Sequence, residues 1–193
     1  MERITEKERS YVSEVLDAEF SSASGSIMTK RLEEKFADLF GAKYAISFIN
    51  GTATLHAALV AGGVGSGDEV IVPPLTMAST SFAVLHANAI PIFADIDPAT
   101  FNINPSEIAK LVTSRTKAIM PIAREHNLFV IEDDAECVLG YYKGRTVGTI
   151  GNMASFSFQS SKHMTSGEGG MIITDDENLA EAVRRFGSLG YAM

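Results

Sequence analysis

Short apolar runs alternate with amphipathic helical patterns along most of the chain, and this alternation restricts the possible folds more than any other feature. Strand-like runs fall at 44–48, 69–72, 90–94, 117–120, 128–132, 154–158 and 171–174, with helical patterns at 30–40, 52–61, 78–87, 106–112 and 177–187. Such alternation predicts a three-layer α/β/α domain with a mostly parallel sheet covered by helices on both faces. Residues 62–68 and 97–100 read as turns inside one domain rather than as linkers. One connection contradicts the pattern. Between 120 and 128 lie only Pro121 to Asn127, whereas a parallel crossover needs a dozen or more residues. A missing internal segment near 120–123 is therefore expected.

Ligands of open α/β sheets sit beyond the carboxyl ends of the strands, so the residues at those ends carry the functional reading. The run Leu128-Phe129-Val130-Ile131 delivers Glu132, Asp133, Asp134 and Glu136 to one such end. Alternation along a strand turns Asp134 away from the side that Asp133 faces. After the run Phe156-Ser157-Phe158 comes Lys162, followed by the cluster Gly167-Glu168-Gly169-Gly170. A lysine amine in such a place can form Schiff bases with carbonyls, including the aldehyde of pyridoxal phosphate, and glycines let the backbone approach a bulky ligand. A third segment, Asn50-Gly51-Thr52-Ala53, follows the run 44–48 and opens a helical pattern. Free N–H groups of a first helical turn, the helix dipole and the Thr52 hydroxyl make a phosphate site. Each segment taken alone has a plainer reading: a solvated acidic exit, a surface lysine in a Gly/Ser loop, and an ordinary helix cap.

Together these segments, with Pro73-Pro74-Leu75-Thr76-Met77-Ala78-Ser79-Thr80 and Pro91-Ile92-Phe93-Ala94-Asp95-Ile96-Asp97, resemble the DegT/DnrJ/EryC1/StrS sugar-nucleotide aminotransferases, which are fold-type I pyridoxal phosphate enzymes. The likeness runs from about Ile27 to Gly190. It implies that Lys162 carries the cofactor and that Asp133 partners its ring nitrogen. By the same resemblance Gly51, Thr52, Ala53 and Ser157 lie around the phosphate, and Glu136 lies near the cofactor 3-hydroxyl. Met77 stands where many members stack an aromatic ring. The implied partners are a nucleotide-linked keto-sugar and an amino-acid donor such as glutamate, and the implied assembly is a homodimer. One branch of the family replaces the lysine with histidine and dehydrates its substrate; Lys162 favours the aminotransferase reading.

Composition limits the alternatives. A formal charge of −8 disfavours a nucleic-acid surface, which needs clustered Lys and Arg. The single cysteine, Cys137, forms no intrachain disulfide and suits a reducing compartment, while His56, His86, His126 and His163 are scattered without metal-ligand spacing. Residues 1–7 contain no apolar leader core and no run reaches membrane-spanning length, so the expected place is the cytoplasm. Family members are much longer. The chain therefore reads as a partial large domain, with residues 1–26 as an N-terminal segment and the small C-terminal domain missing. A non-catalytic remnant or binding protein is the alternative from a different class, and a dehydratase of the same family is the other.

Overall fold

The computed structural model describes residues 4–18, 26–120 and 128–188. In chain order the elements are α1 (Glu6–Ala18), α2 (Ile27–Phe40), β1 (Tyr44–Phe48), α3 (Gly51–Ala61), β2 (Glu69–Val72), α4 (Ala78–His86), β3 (Ile90–Phe93), α5 (Pro105–Leu111), β4 (Thr116–Ile119), β5 (Phe129–Asp133), β6 (Tyr141–Tyr142), β7 (Arg145–Thr146), β8 (Met153–Ser157), β9 (Gly170–Thr174) and α6 (Glu177–Gly187). Seven strands form one sheet in the order β1-β9-β8-β5-β4-β2-β3. Only β9 runs against its neighbours, pairing antiparallel with both β1 and β8. The mostly parallel sheet expected from the alternation is present. Two elements are additions to that reading: α1, whose Val12 and Leu16 stay exposed, and the small β6–β7 hairpin, too short to show a period.

Strand alternation sorts the core into layers. Ile46, Val70, Val72, Ala118, Met120, Ile131, Met153 and Ile172 face one side, where Leu55, Ala58 and Leu59 of α3, Ala83 and Val84 of α4, and Ala180 and Val183 of α6 cover them. Their neighbours one residue away face the other side. There Phe36, Ala37 and Phe40 of α2 pack on Ala45, Ala154, Phe156, Met171 and Ile173, while Ile108 of α5 packs near Ile71 and Ile119. The sheet is thus buried on both faces, the α/β/α arrangement that parallel strands require.

The short connection after β4 does not interrupt the sheet. Ala118 pairs with Phe129 and Ile119 with Val130 in parallel register, and Met120 N–H continues the ladder to Ile71 O at 2.9 Å. Ile119, Met120, Val130 and Ile131 are all buried, so the apolar face fixes this register across the connection. The connection itself, residues 121–127, lies outside the described residues.

Candidate functional site

Carboxyl ends of β5 and β8 open beside the start of α3, and a cavity of about 810 Å³ forms there. Gly51, Thr52, Met77, Asp133, Glu136, Ser157 and Lys162 all line it. Residues up to 111 positions apart, Gly51 and Lys162, therefore meet at one place only through the sheet order. Ala53 stands aside from the lining.

The start of α3 is drawn tightly onto the sheet. Asn50 caps the helix, its Oδ1 accepting from Ala53 N–H at 2.8 Å, and Thr54 N–H reaches Asn50 O at 3.2 Å. Among the described residues this leaves the Gly51 and Thr52 N–H groups as the donors of the first turn without a protein acceptor. A Cβ on Gly51 would sit 3.0 Å from Ser157 Cβ, and one on Gly170 would sit 2.7 Å from the Asn50 carbonyl. Both glycines are needed for this approach, which brings the helix terminus beside the Ser157 hydroxyl. Beneath it the buried hydroxyls of Thr54 and Ser155 lie 2.6 Å apart.

The three consecutive acids of β5 have three different environments. Glu132 is fully buried, and its carboxylate accepts from the N–H groups of Gly148, Ile150 and Gly151 at 2.5–2.7 Å. It anchors the loop after β7. Asp133 turns to the cavity, where its Oδ2 accepts from the Thr80 hydroxyl at 2.9 Å and its Oδ1 lies 3.4 Å from Ala135 N–H. Burial pushes the Asp133 carboxyl above the usual carboxylate range, opposed by the Thr80 and Ala135 hydrogen bonds and by the Lys162 charge. Asp134 is also buried, and its Oδ2 has no hydrogen-bond partner. A Cβ on Gly148 would lie 3.2 Å from that oxygen and 2.7 Å from the Phe156 ring. Burial, with the Glu132 and Asp133 charges nearby, pushes Asp134 up to about 8. A merely solvated acidic exit does not fit these surroundings, because Glu132 and Asp134 are buried and Asp133 is held by Thr80.

Lys162 lies on the loop joining β8 to β9. The base of that loop is tied by Phe158 N–H to Gly169 O at 2.8 Å and Ser166 N–H to Phe158 O at 3.0 Å, and Lys162 N–H bonds Gln159 O at 2.9 Å. The lysine side chain is only 11% exposed and its Nζ donates to Glu136 Oε1, whereas the Glu136 side chain is 74% exposed. A surface lysine is therefore not what this loop carries. Met77 is 64% exposed at the head of α4 and offers no side-chain cap to that helix. Sequence reading missed Thr80, whose hydroxyl orients Asp133, although the residue lay within the segment 73–80 that carried the family likeness. It also missed Phe101, Tyr141 and Tyr142, which line the same cavity from outside any quoted motif.

Comparison with known proteins settles the relationship. The model of the DegT/DnrJ/EryC1/StrS aminotransferase family matches residues 2–193. The chain belongs to this family. It is similar to a GDP-perosamine synthase of Caulobacter vibrioides, 45% identical over 197 aligned positions that cover 94% of this chain and 53% of the relative. An aminotransferase structure from Psychrobacter cryohalolentis superposes with a TM-score of 0.87 at 40% identity, covering 94% of this chain and 50% of that one. An E. coli GDP-4-keto-6-deoxy-D-mannose-3-dehydratase with bound hydrated PLP superposes with a TM-score of 0.84 at 27% identity, covering 95% and 52%. The chain spans about half the length of the relatives it matches. Its α/β/α layering is that of the fold-type I members of the family.

Proposed function

We propose that this chain is the cofactor-binding part of a pyridoxal phosphate-dependent aminotransferase. Its acceptor would be a nucleotide-linked keto-sugar and its donor an amino acid such as glutamate, in amino-sugar, O-antigen or other polysaccharide biosynthesis. One observation carries the reading: Lys162, Asp133 and the open first turn of α3 line a single cavity. The residues fit the cofactor. Gly51 and Thr52 N–H with the Ser157 hydroxyl suit its phosphate, the buried Asp133 suits its ring nitrogen, and Lys162 is the amine for its aldehyde. When bound, pyridoxal phosphate supplies an electron sink for charge developing at the substrate α-carbon.

The chain's own groups perform the rest. Asp133, held by Thr80, would keep a proton on the ring nitrogen of the bound cofactor, and that cationic partner would favour the ionised carboxyl. With pyridoxal phosphate bound, Lys162 Nζ would be the base that takes the donor α-proton and the acid that gives it back. Acceptor amination runs the same transfers in reverse. Glu136, paired with Lys162, steadies the ammonium while the lysine is free. Met77 can cover a ring face with its thioether in place of an aromatic stack.

Homodimerisation and a cytoplasmic setting complete the proposal. The family relationship supports both, and no helix among the described residues is long and apolar enough to cross a membrane. The small domain and an internal segment near 120–123 belong to the full-length family pattern. In support, the Caulobacter relative aligns over 197 positions against a chain of 193 residues, so it holds residues without a counterpart here. The dehydratase alternative draws on the E. coli likeness, and Lys162, where that branch has histidine, stands against it. The test is chemical: protein incubated with pyridoxal phosphate and reduced with borohydride should carry the label on Lys162 by peptide mass spectrometry. Label confined to other lysines would remove Lys162 from the mechanism.

A further inference from the structure

Backbone strain in this molecule is concentrated at the mouth of the cavity. Among the described residues four non-glycine positions have φ in the left-handed region: Asn88 at 57°, Phe101 at 59°, Leu139 at 58° and Lys143 at 49°. Asparagine adopts that conformation readily, whereas for phenylalanine, leucine and lysine it is costly. All three costly positions fall in two segments that border the cavity, the loop 97–102 and the stretch 139–143. Asp97 holds the first loop, its backbone O accepting from Phe101 N–H at 2.8 Å and its Oδ1 accepting from Ala99 N–H at 2.7 Å. In the second, Lys143 and Gly144 at φ 77° form a two-residue hairpin turn of the kind that needs positive φ at both positions, here with lysine where asparagine would be cheaper.

Both segments use this geometry to hold aromatic rings open. Phe101 is 65% exposed, Tyr141 74% and Tyr142 48%, and all three line the cavity that Lys162 lines. Rings of this size are ordinarily among the main contributors to a core, so three of them displayed around one opening by strained backbone mark a ligand surface. The charge beside them narrows the ligand. In a chain of net charge −8, the hairpin from Tyr141 to Thr146 carries no acid; its Arg145 turns away to donate to Thr149 O at 2.6 Å, which leaves Lys143 as the cation at the rings. Lys143 Nζ lies 5.2 Å over the Tyr142 ring. At about 810 Å³ the cavity is at the large end of small-molecule sites and has room beyond its floor.

We propose that Phe101, Tyr141 and Tyr142 form a stacking platform for the planar base of the nucleotide-linked substrate, with Lys143, over the Tyr142 ring, beside it for the diphosphate. The proposal rests on the sugar-nucleotide reading above and adds the residues that would set nucleotide preference.

The experiment titrates GDP, UDP, TDP and inorganic pyrophosphate into the cofactor-loaded protein. Tyrosine emission can be followed because the chain has no tryptophan. The variants are Phe101→Gly, which removes the ring and relaxes the left-handed backbone, and Tyr141→Leu with Tyr142→Leu, which keeps apolar bulk without the rings. Stacking on one base corresponds to a roughly five- to hundredfold change in affinity. Expected is a loss of that size for the preferred nucleoside diphosphate, unchanged pyrophosphate affinity, and a thermal midpoint for Phe101→Gly no lower than the parent's. Unchanged nucleotide affinity, or equal losses for nucleotide and pyrophosphate, would overturn the platform. So would a parent that binds no nucleoside diphosphate, even with Lys162 loaded, or variants whose only change is in light-scattering mass, since the rings would then contact a second copy. Borohydride labelling of Lys162 in the same samples reports separately on the aminotransferase reading. A parent that loads no cofactor but binds GDP through Phe101 would keep the platform and sink that reading.

Discussion

The floor and the rim of the cavity are built on opposite physical terms. On the floor, formed by the ends of β5 and β8 and the start of α3, Asn50, Thr54, Glu132, Asp133 and Ser155 are held by hydrogen bonds and glycines bring backbones into contact. Glu132 alone satisfies three N–H groups of the loop after β7. On the rim, three bulky residues are held in left-handed backbone and three aromatic rings are left in the open. Packing and hydrogen bonds determine the floor, so its geometry is set before any ligand arrives. The rim instead combines costly backbone conformations with exposed apolar surface.

The largest effect should follow from changing the floor where it meets the reacting atoms. Asp133→Asn leaves the Thr80 contact possible but removes the charge, and should slow donor-driven half-transamination by orders of magnitude, three decades corresponding to about 4 kcal/mol. Single-turnover absorbance measurements of the cofactor give the rate. An unchanged rate would place Asp133 among ordinary buried acids and end the functional distinction of the floor.

A smaller effect, on stability, should follow from Glu132→Ala. It leaves three buried or half-buried N–H donors of Gly148, Ile150 and Gly151 without their acceptor and should cost about 3 kcal/mol in denaturant unfolding. A cost within a few tenths would mean that the loop after β7 is not anchored from β5, and the contrast with the strained hairpin next to it would fail.

A third effect, confined to the pH dependence of stability, concerns Asp134, whose Oδ2 is the buried side-chain oxygen without a hydrogen-bond partner among the described residues. Its carboxyl is raised from 3.8 in the unfolded chain to about 8 in the fold, so the folded state binds the extra proton. The contribution is fully present below pH 4 and is lost as pH rises toward 8, by no more than about 1.4 kcal/mol per pH unit. Asp134→Asn should flatten this dependence and make the variant relatively more stable at pH 8 than at pH 5. Parallel stability curves for the two proteins would show that Asp134 reaches water. Asp134 is accordingly no neutral control for Asp133, since its substitution acts on stability through a buried oxygen of its own.

Much of the molecule follows from local pattern. Helical period and strand alternation determine the layers, because each face of β1, β2, β5, β8 and β9 must be covered and the residue order says which faces are apolar. The order Asn50-Gly51-Thr52, the acids after Ile131 and the lysine after Phe158 are likewise readable as chemistry at strand ends, and they reach the same cavity. What pattern does not contain is the distance between segments. Glu132 and Asp134 look like solvated acids in the sequence. Only the packing of residues 148–151 and Phe156 against β5 makes one a three-bond anchor and the other a raised, unpartnered carboxyl. Thr80 is an unremarked helix residue until α4 sets its hydroxyl 2.9 Å from Asp133. Phe101 and the tyrosines of β6 belong to no period, since they sit in or beside short turns with positive φ at residues that give no turn signal. Sequence determined which groups lie at strand ends, because that depends on neighbours a few residues away. The tertiary structure decided their charge states, their partners and the aromatic rim, because solvation and contact depend on segments far apart in the chain.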